Sequence, residues 1–545
     1  MTYRMKTINI HRLLGAMLLA GIMLAGCTKD NTLEEIQQTA TGQETPADEF
    51  AQTLESIDKV YNVQVKTSSS GDKVYYFDFR QNIDHKHPDH GTFNQRVAVS
   101  VKGLDRDVVL YTHGYTMSSA ENFEIHPLSE LLNANQVNVE HRYFGQSLPE
   151  AADSPAFTYF NAEQQAYDLH AIVQALKQHV FKSGKWASTG TSKDGITSAL
   201  YAYYSDQNGW NDIAVYVPFC APFLTGSTVN GQHSCMDPAV GYYMDEVCGT
   251  GYPAGSEEAQ ACQRLHDIPR YICSDKVLRD ACRKYMLKIS PSDYRKIVEQ
   301  YNQHSDMSTG DLEKDLTALT CDMYYAFLFD KFSYMQFTAW AKLVPDPVKA
   351  TTDGEERQHL LTFITMDKYA VNDSLKVLSG GKQPLEAPRR SQLTDAYEKY
   401  WNYIKTLRQN PTAPYYVQSY MELGVAGWGY KHLDGTYLTE EQARKVNHLF
   451  TTEAKFEGIL RQDGGRLMRD FRQWVATEST QNIVFVYAHN DPWTGGRPDD
   501  TAISQNPKTM MVIDPIAVHG HYFLDKELYT PATKQAIADA VNKWM

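Results

Sequence analysis

Short β-branched runs alternate with helical patterns over the first part of the chain. Apolar runs at 97–101, 108–112, 137–141 and 212–217 each predict a strand. Apolar positions between residues 162 and 180 recur at helical spacing, which predicts a helix. Because strands alternate with helices, we expect a parallel sheet that is covered on both faces.

The alternation stops near residue 222 and resumes late in the chain. Long helical patterns lie between 222 and 440, and strands are predicted again at 483–487 and 509–513. The simplest interpretation is one sheet interrupted by a large, mainly helical insertion. The predicted fold class is therefore α/β, with a core in two parts and a cap insertion, at 51–221, 441–545 and 222–440.

Composition excludes several classes of protein. Of the 545 residues, 42% are hydrophobic and 22% charged, so the chain can fill a large core and is not disordered or fibrous. The net charge of -14 disfavours a nucleic-acid partner, which needs a basic surface. Only one stretch, near the N-terminus, is apolar enough to enter a bilayer, so a polytopic membrane protein is excluded.

The N-terminus has the pattern of an export signal. Residues 1–26 combine basic residues with a short apolar stretch and end in Leu24-Ala25-Gly26-Cys27, which resembles the bacterial lipobox. We therefore predict acylation of Cys27, a polar tether over 27–50, and attachment to membrane lipid in the cell envelope. Thr28 is not the aspartate that favours inner-membrane retention, so the outer membrane is expected. A conventional signal with a chance cysteine is the alternative.

Seven further cysteines are confined to the region between residues 220 and 321. They are Cys220, Cys235, Cys248, Cys262, Cys273, Cys282 and Cys321. An odd number leaves at least one thiol and allows up to three disulfides in an exported protein. The segment contains no Cys-x-x-Cys pair, so disulfides within the insertion are favoured over a metal site, and no metal is predicted.

A serine triad is the constellation with catalytic potential. Gly190-Thr191-Ser192-Lys193-Asp194-Gly195 lies between a predicted strand and a helix, where a nucleophile elbow places its serine. A serine needs a base and an orienting carboxylate. Asp491 and His519 each follow a later strand, and the order Ser192, Asp491, His519 is that of α/β-hydrolases. The alternative makes them a helix N-cap, a turn residue and a surface histidine.

The elbow departs from the common pattern at one position. Glycine usually stands two residues after the serine, where helix and strand approach closely. Here Asp194 occupies that position and Gly195 follows it. Two interpretations stay open, namely a local shift of the glycine or an elbow with impaired or absent catalysis.

Several motifs resemble serine exopeptidases. Residues 77–96 and the segment Glu140-His-Arg-Tyr-Phe-Gly-Gln-Ser147 are similar to prolyl carboxypeptidase and dipeptidyl peptidase II. The Gly-Thr-Ser-Lys elbow and Asn490-Asp-Pro-Trp493 resemble the sister family, the secreted bacterial tripeptidyl aminopeptidases. The resemblance implies an α/β-hydrolase core with a helical cap, a proline-tolerant serine exopeptidase and no cofactor. It covers residues 75–220 and 410–525.

The resemblance also implies roles for the triad. Ser192 would attack the scissile carbonyl and form an acyl-enzyme. His519 would act as the base and then as the acid, with Asp491 holding its tautomer. His521 is the rival base, but the family pattern has histidine followed by glycine, which favours His519.

Residues around the triad complete the predicted site. The N–H of Lys193 and the turn at Gly114 and Tyr115 are the expected oxyanion donors. Glu422 lies in a segment similar to one in these relatives, and either pairs with the substrate's free ammonium or caps a helix. Residues 140–142 are expected to form a buried polar network beside the elbow.

These observations predict a cell-envelope serine aminopeptidase that acts on peptides and releases di- or tripeptides, including after proline. Two alternatives stay open. The first is an esterase on the same core, because acyl chemistry does not fix the leaving group. The second is a non-catalytic binding lipoprotein whose elbow is degenerate at Asp194.

Overall fold

A computed structural model describes most of the chain. The described residues are 48–149, 157–224, 237–286, 310–365, 414–424, 439, 463–520 and 529–545. The predictions for the signal at 1–26, for Cys27, for Cys235 and for His521 lie outside the described residues.

The described residues form a mixed sheet of nine strands. They are β1 Val60–Thr67, β2 Lys73–Asn82, β3 Thr92–Ser100, β4 Val108–Thr112, β5 Asn135–Val139, β6 Trp186–Thr191, β7 Val215–Phe219, β8 Ile483–Ala488 and β9 Thr509–Asp514. Their order is β1-β2-β3-β5-β4-β6-β7-β8-β9. The strands β1, β2 and β3 pair antiparallel. The six strands β4 to β9 are all parallel to one another. The predicted parallel sheet is confirmed, with an antiparallel extension at one side.

Fifteen α-helices accompany this sheet in the part of the chain that the structure describes. They are α1 Glu49–Glu55, α2 Pro127–Leu131, α3 Ala162–His179, α4 Lys193–Asn208, α5 Asp237–Gly241, α6 Glu257–Ser274, α7 Lys276–Met286, α8 Leu312–Phe332, α9 Phe337–Trp340, α10 Pro347–Ala350, α11 Gly354–Thr365, α12 Pro414–Gln418, α13 Arg466–Thr477, α14 Asp500–Gln505 and α15 Pro531–Trp544. Within the described ranges, no helix is long and apolar enough to cross a bilayer.

Helices cover both faces of the sheet. In β8 the side chains of Ile483 and Phe485 pack with α3, α4 and α13, whereas Val484 and Val486 pack with α2 and α15. Every residue of β8 is buried, which explains its continuous apolar sequence. This layered arrangement, with the sheet order, is the α/β-hydrolase core that was predicted.

The described part of the segment between β7 and β8 is mainly helical. Helices α6, α7, α8 and α11 share one hydrophobic core, which also includes Phe144 and Phe160 from the sheet-side loops. This agrees with a mainly helical cap that rests on the loop after β5. The exact limits of the cap stay a prediction.

Several cysteines of the cap lie in its described part. Cys248, Cys262 and Cys282 are free thiols. The sulfurs of Cys273 on α6 and Cys321 on α8 lie 3.5 Å apart in the core of the cap. This is a contact between thiols, since a disulfide bond is about 2.05 Å long. Because the structure joins none of these described cysteines covalently, the predicted disulfides stay a prediction.

The register of the parallel strands brings their carboxyl ends to one edge. Thr191 at the end of β6 pairs with Phe219 at the end of β7, and Phe219 pairs with Val486 in β8. Ala488 at the end of β8 pairs with Asp514 at the end of β9. Loops that follow these four strands therefore meet at the same edge, where α/β proteins place their ligand-binding and active sites.

Candidate active site

Ser192 occupies a strained turn between β6 and α4. Its backbone has φ +59° and ψ -124°, a conformation that residues other than glycine rarely adopt. Its N–H donates a hydrogen bond of 2.8 Å to the carbonyl of Phe219. The side chain makes no helix-capping hydrogen bond, so the N-cap alternative finds no support. The turn has the backbone geometry of a nucleophile elbow.

Two glycines allow this turn to pack closely. A Cβ at Gly190 would clash with the backbone of Asp194. A Cβ at Gly195 would lie 2.9 Å from the carbonyl oxygens of both Gly190 and Phe219. Helix and strand thus approach at Gly195, one position later than in the common elbow. This geometry favours the local shift over the degenerate elbow.

Asp491 and His519 are joined in the structure. A hydrogen bond of 2.8 Å links Nδ1 of His519 with Oδ2 of Asp491. The other carboxylate oxygen accepts the N–H of Trp493 at 2.9 Å, so Asp491 also begins a short turn, as its Asp-Pro sequence suggested. Both residues are buried, at 0% and 5% exposure, and the N–H of His519 donates to the carbonyl of Ser333. His519 is therefore not a surface histidine.

The third member of the predicted triad lies at the same edge of the sheet. Ser192 follows β6, and its backbone is bonded to Phe219, the residue before Cys220. The Cys220 sulfur and the ligand atoms of Asp491 and His519 lie within 4.8 Å of one another. Within the described ranges, no hydrogen bond joins Ser192 Oγ to His519. Such bonds are often long in a free enzyme, so this contact of the triad stays a prediction.

Cys220, Asp491 and His519 are chemically able to bind zinc. Two of them already share a hydrogen bond of 2.8 Å. Burial, followed by the Asp491 charge, raises the pKa of the Cys220 thiol well above its usual range. The structure therefore shows a buried thiol packed against the hydrogen-bonded Asp–His pair.

The predicted oxyanion turn contacts the elbow, but one of its expected donors is occupied. A Cβ at Gly114 would lie 2.8 Å from the backbone carbon of Lys193, which shows how closely the two segments approach. The N–H of Gly114 donates a 2.6 Å hydrogen bond to Oδ1 of Asp194. The N–H of Gly114 is therefore already bonded, so Tyr115 is the remaining candidate donor of this turn. The roles of Tyr115 and of the Lys193 N–H stay predictions.

Two buried charges follow the serine, and sequence analysis did not assign their roles. Asp194 also accepts a hydrogen bond from the Tyr111 hydroxyl at 3.0 Å, and burial raises its pKa to about 6. The ammonium of Lys193 donates to the carbonyl of Gly114 and lies 4.8 Å from the centre of the Phe144 ring. Burial lowers the pKa of Lys193 to about 7. The only sequence signal was the presence of consecutive charged residues at the start of a buried helix.

Glu422 lies against the first turn of α3. Its Oε1 accepts the N–H of Ala162 at 2.7 Å and the side-chain amide of Gln418 at 3.0 Å. The carboxyl is buried, and burial raises its pKa to about 8. These contacts agree with the helix-capping alternative, because a helix N-terminus has unpaired N–H groups. The ammonium-anchor hypothesis stays a prediction.

The buried network of residues 140–142 is confirmed. Glu140 accepts hydrogen bonds from the N–H groups of Met117, Gln146 and Ser147. Arg142 forms a bidentate pair with Asp168, at 2.7 and 2.8 Å. Breaking such a buried pair leaves an uncompensated charge, so these residues fix the loop after β5.

The sheet order, the elbow and the buried Asp–His pair define this protein as a member of the α/β-hydrolase class. Comparison with known proteins indicates which members of this class the chain resembles. The family described as PS-10 peptidase S37 matches residues 44–244. The prolyl tri/tetrapeptidyl aminopeptidase of Streptomyces mobaraensis is 26% identical over 422 residues, which cover 76% of this chain and 69% of that protein. The chain is a serine peptidase that is similar to the tripeptidyl aminopeptidases, as its sequence motifs predicted.

One further sequence relative and one solved structure were also found. The serine protease vicPb of Bipolaris victoriae is 24% identical over 218 residues, which cover 35% of this chain and 40% of that protein. Among solved structures, the rice cell wall degrading esterase LipA from Xanthomonas oryzae is 10% identical, with a TM-score of 0.31. The matched region covers 89% of this chain and 99% of the LipA chain. A likeness this low does not bear on the fold, which rests on the sheet itself.

Proposed function

We propose that this serine exopeptidase is an envelope aminopeptidase that releases short N-terminal peptides through a triad of Ser192, His519 and Asp491. The main support is the 2.8 Å bond between His519 and Asp491 at the edge of the sheet where Ser192 lies in a strained turn. Release of tri- or tetrapeptides after proline is proposed because that activity is in the name of the Streptomyces relative.

The proposed reaction has two stages. The Ser192 hydroxyl attacks the scissile carbonyl while Nε2 of His519 accepts its proton. The C–N bond then breaks, His519 gives the proton to the leaving amine, and an acyl-enzyme remains. Water attacks the acyl-enzyme by the same proton route and frees the short peptide. Asp491 keeps Nδ1 of His519 protonated throughout, which directs Nε2 towards Ser192.

Labelling and digestion with the wild-type protein test this proposal. A fluorophosphonate probe should form an adduct that peptide mapping places on Ser192. Mass spectrometry of a digested peptide library should show fragments of two to four residues leaving from free N-termini. Absence of any adduct would indicate the non-catalytic binder. An adduct with hydrolysis of aryl esters but not of peptides would indicate the esterase.

Glu422→Gln tests the anchor in the same digest. If the carboxylate binds the substrate ammonium, the variant loses its preference for free over acetylated N-termini. If Glu422 only bonds the N–H of Ala162, the preference is unchanged, because the glutamine oxygen still accepts that bond. An unchanged ratio of the two rates would reject the anchor.

The envelope location is a second part of the proposal, and it predicts two covalent features. Acylation of Cys27 follows from the lipobox pattern. A disulfide between Cys273 and Cys321 is favoured by their 3.5 Å sulfur separation, with both hydrogens passing to a disulfide oxidant of the envelope. It would join α6 to α8 within the cap.

Mass spectrometry of protein isolated from the envelope under non-reducing conditions tests both features. The N-terminal peptide should begin at an acylated Cys27, and peptides of Cys273 and Cys321 should be linked until a reductant is added. Cys27→Ser should release the protein from the membrane fraction. Soluble wild-type protein with an intact residue 1–26 segment would contradict the location, and unlinked peptides would contradict the disulfide.

A further inference from the structure

Both backbone polar groups of Gly114 are bound by side chains of the elbow. Its N–H donates to Oδ1 of Asp194 at 2.6 Å, and its carbonyl accepts from the ammonium of Lys193. These two residues directly follow Ser192 in the sequence. The elbow therefore binds the loop after β4 through two charged groups of opposite sign.

The two contacts are held from several sides. Asp194 is itself fixed by the hydroxyl of Tyr111, which belongs to β4, the strand that leads into Gly114. The backbones touch as well, since a Cβ at Gly114 would be 2.9 Å from the N of Asp194. Asp194 is 8% exposed and Lys193 2% exposed, so water competes little for these bonds.

This loop has a specific task in the α/β-hydrolase class. One oxyanion donor is the N–H of the residue after the nucleophile, and the other comes from the loop after this strand. The donors must lie about 3 Å from the developing oxyanion, so a small shift of the loop weakens catalysis. Whatever fixes Gly114 relative to Lys193 also fixes the neighbouring Tyr115, the remaining candidate donor of this loop, relative to the N–H of Lys193.

We propose that Asp194 and Lys193 are positioning residues that bind the N–H and the carbonyl of Gly114 and so set the geometry of the oxyanion hole. The inference rests on the proposed serine mechanism and deepens it. It explains why a carboxylate, that of Asp194, stands at a position where glycine is common. Gly195 provides the close approach, which leaves position 194 able to accept a side chain.

Three variants test the inference by steady-state kinetics on a peptide substrate. Asp194→Ala should lower kcat about 10- to 100-fold with KM within twofold, which is less than the loss from removing an oxyanion donor itself. Asp194→Asn keeps an oxygen that can accept the Gly114 N–H, so kcat should recover to within about threefold of wild type. Lys193→Met keeps the apolar stem against Phe144 and should lower kcat about tenfold.

A transition-state analogue separates positioning from a general loss of structure. The inhibition constant of a peptide boronate, which forms a tetrahedral adduct, should rise by the same factor as kcat falls. Asp212→Asn is the matched control, because Asp212 is a buried carboxylate bonded to Tyr201 and His170, just before β7. It should lower the melting temperature and leave kcat and boronate inhibition unchanged.

The outcomes distinguish this inference from the proposed function. A wild-type protein that neither labels nor cleaves peptides would reject the serine mechanism. An active wild type with unchanged kcat in Asp194→Ala and Lys193→Met would reject the positioning role alone. Equal losses in Asp194→Ala and Asp194→Asn would also reject it, because the hydrogen bond would then not matter. If Asp194→Ala does not fold, the kcat and the boronate inhibition constant of Lys193→Met test the positioning role instead.

Discussion

Ser192→Ala should lower kcat for peptide hydrolysis about a millionfold and leave KM nearly unchanged. The hydroxyl is the proposed nucleophile, and loss of the nucleophile in a serine peptidase removes the acyl-enzyme route entirely. The backbone of residue 192 would keep its bond to Phe219, so the fold and the substrate pocket should persist. Initial rates with a fluorogenic peptide measure the effect, and fluorophosphonate labelling should disappear in parallel.

Ser198→Ala is the control for this variant. Ser198 lies on α4, the helix that begins directly after Ser192, is buried, and shares a 2.8 Å hydrogen bond with the hydroxyl of Ser188. Its loss removes a hydroxyl of the same kind away from the strained turn, so labelling and kcat should stay near wild type. Persistent labelling of Ser192→Ala would mean that another residue is the nucleophile.

Asp491→Asn should lower kcat about ten-thousandfold. The carboxylate binds Nδ1 of His519 at 2.8 Å and thereby keeps the proton on that nitrogen. An asparagine amide can donate in its place, which favours the wrong tautomer and leaves Nε2 unable to accept the serine proton. The circular dichroism spectrum should be unchanged, and the rate measured at neutral pH gives the loss.

Asp499→Asn provides the comparison in the same loop region. Asp499 caps α14 through the N–H of Ala502 and is exposed, so its replacement should leave kcat unchanged. A rate for Asp491→Asn within tenfold of wild type would show that this carboxylate does not orient the catalytic base.

The strands that the sequence predicted well are those with continuous apolar runs. β8 was predicted within one residue of its observed end, because each of its side chains is buried. β5 begins two residues before the predicted run, since Asn135 and Gln136 are polar yet buried. Their side chains bond Lys102 and Ser129 among others, which a pattern of hydrophobicity does not reveal. In β7 the strand continues through Pro218, which had ended the predicted run.

The convergence of Ser192, Asp491 and His519 on one edge of the sheet was predictable because each follows a strand, and parallel strands end at one edge. The contacts of Asp194 and Glu422 were not predictable in the same way. Gly114 lies 80 positions from Asp194, and Ala162 lies 260 positions from Glu422. Such pairs depend on the packed fold rather than on local periodicity, so the sequence left open whether Asp194 marks a shifted glycine or an impaired elbow.

The pairing of β7 with β8 has a consequence for the order of events during synthesis. These neighbouring strands lie on opposite sides of the whole cap in the sequence. A chain emerging from the ribosome can complete β7 long before β8 is made, and non-local pairings of this kind form slowly. Ser192 is therefore made well before Asp491 and His519, so a partly synthesised chain contains the proposed nucleophile without the proposed base and its carboxylate.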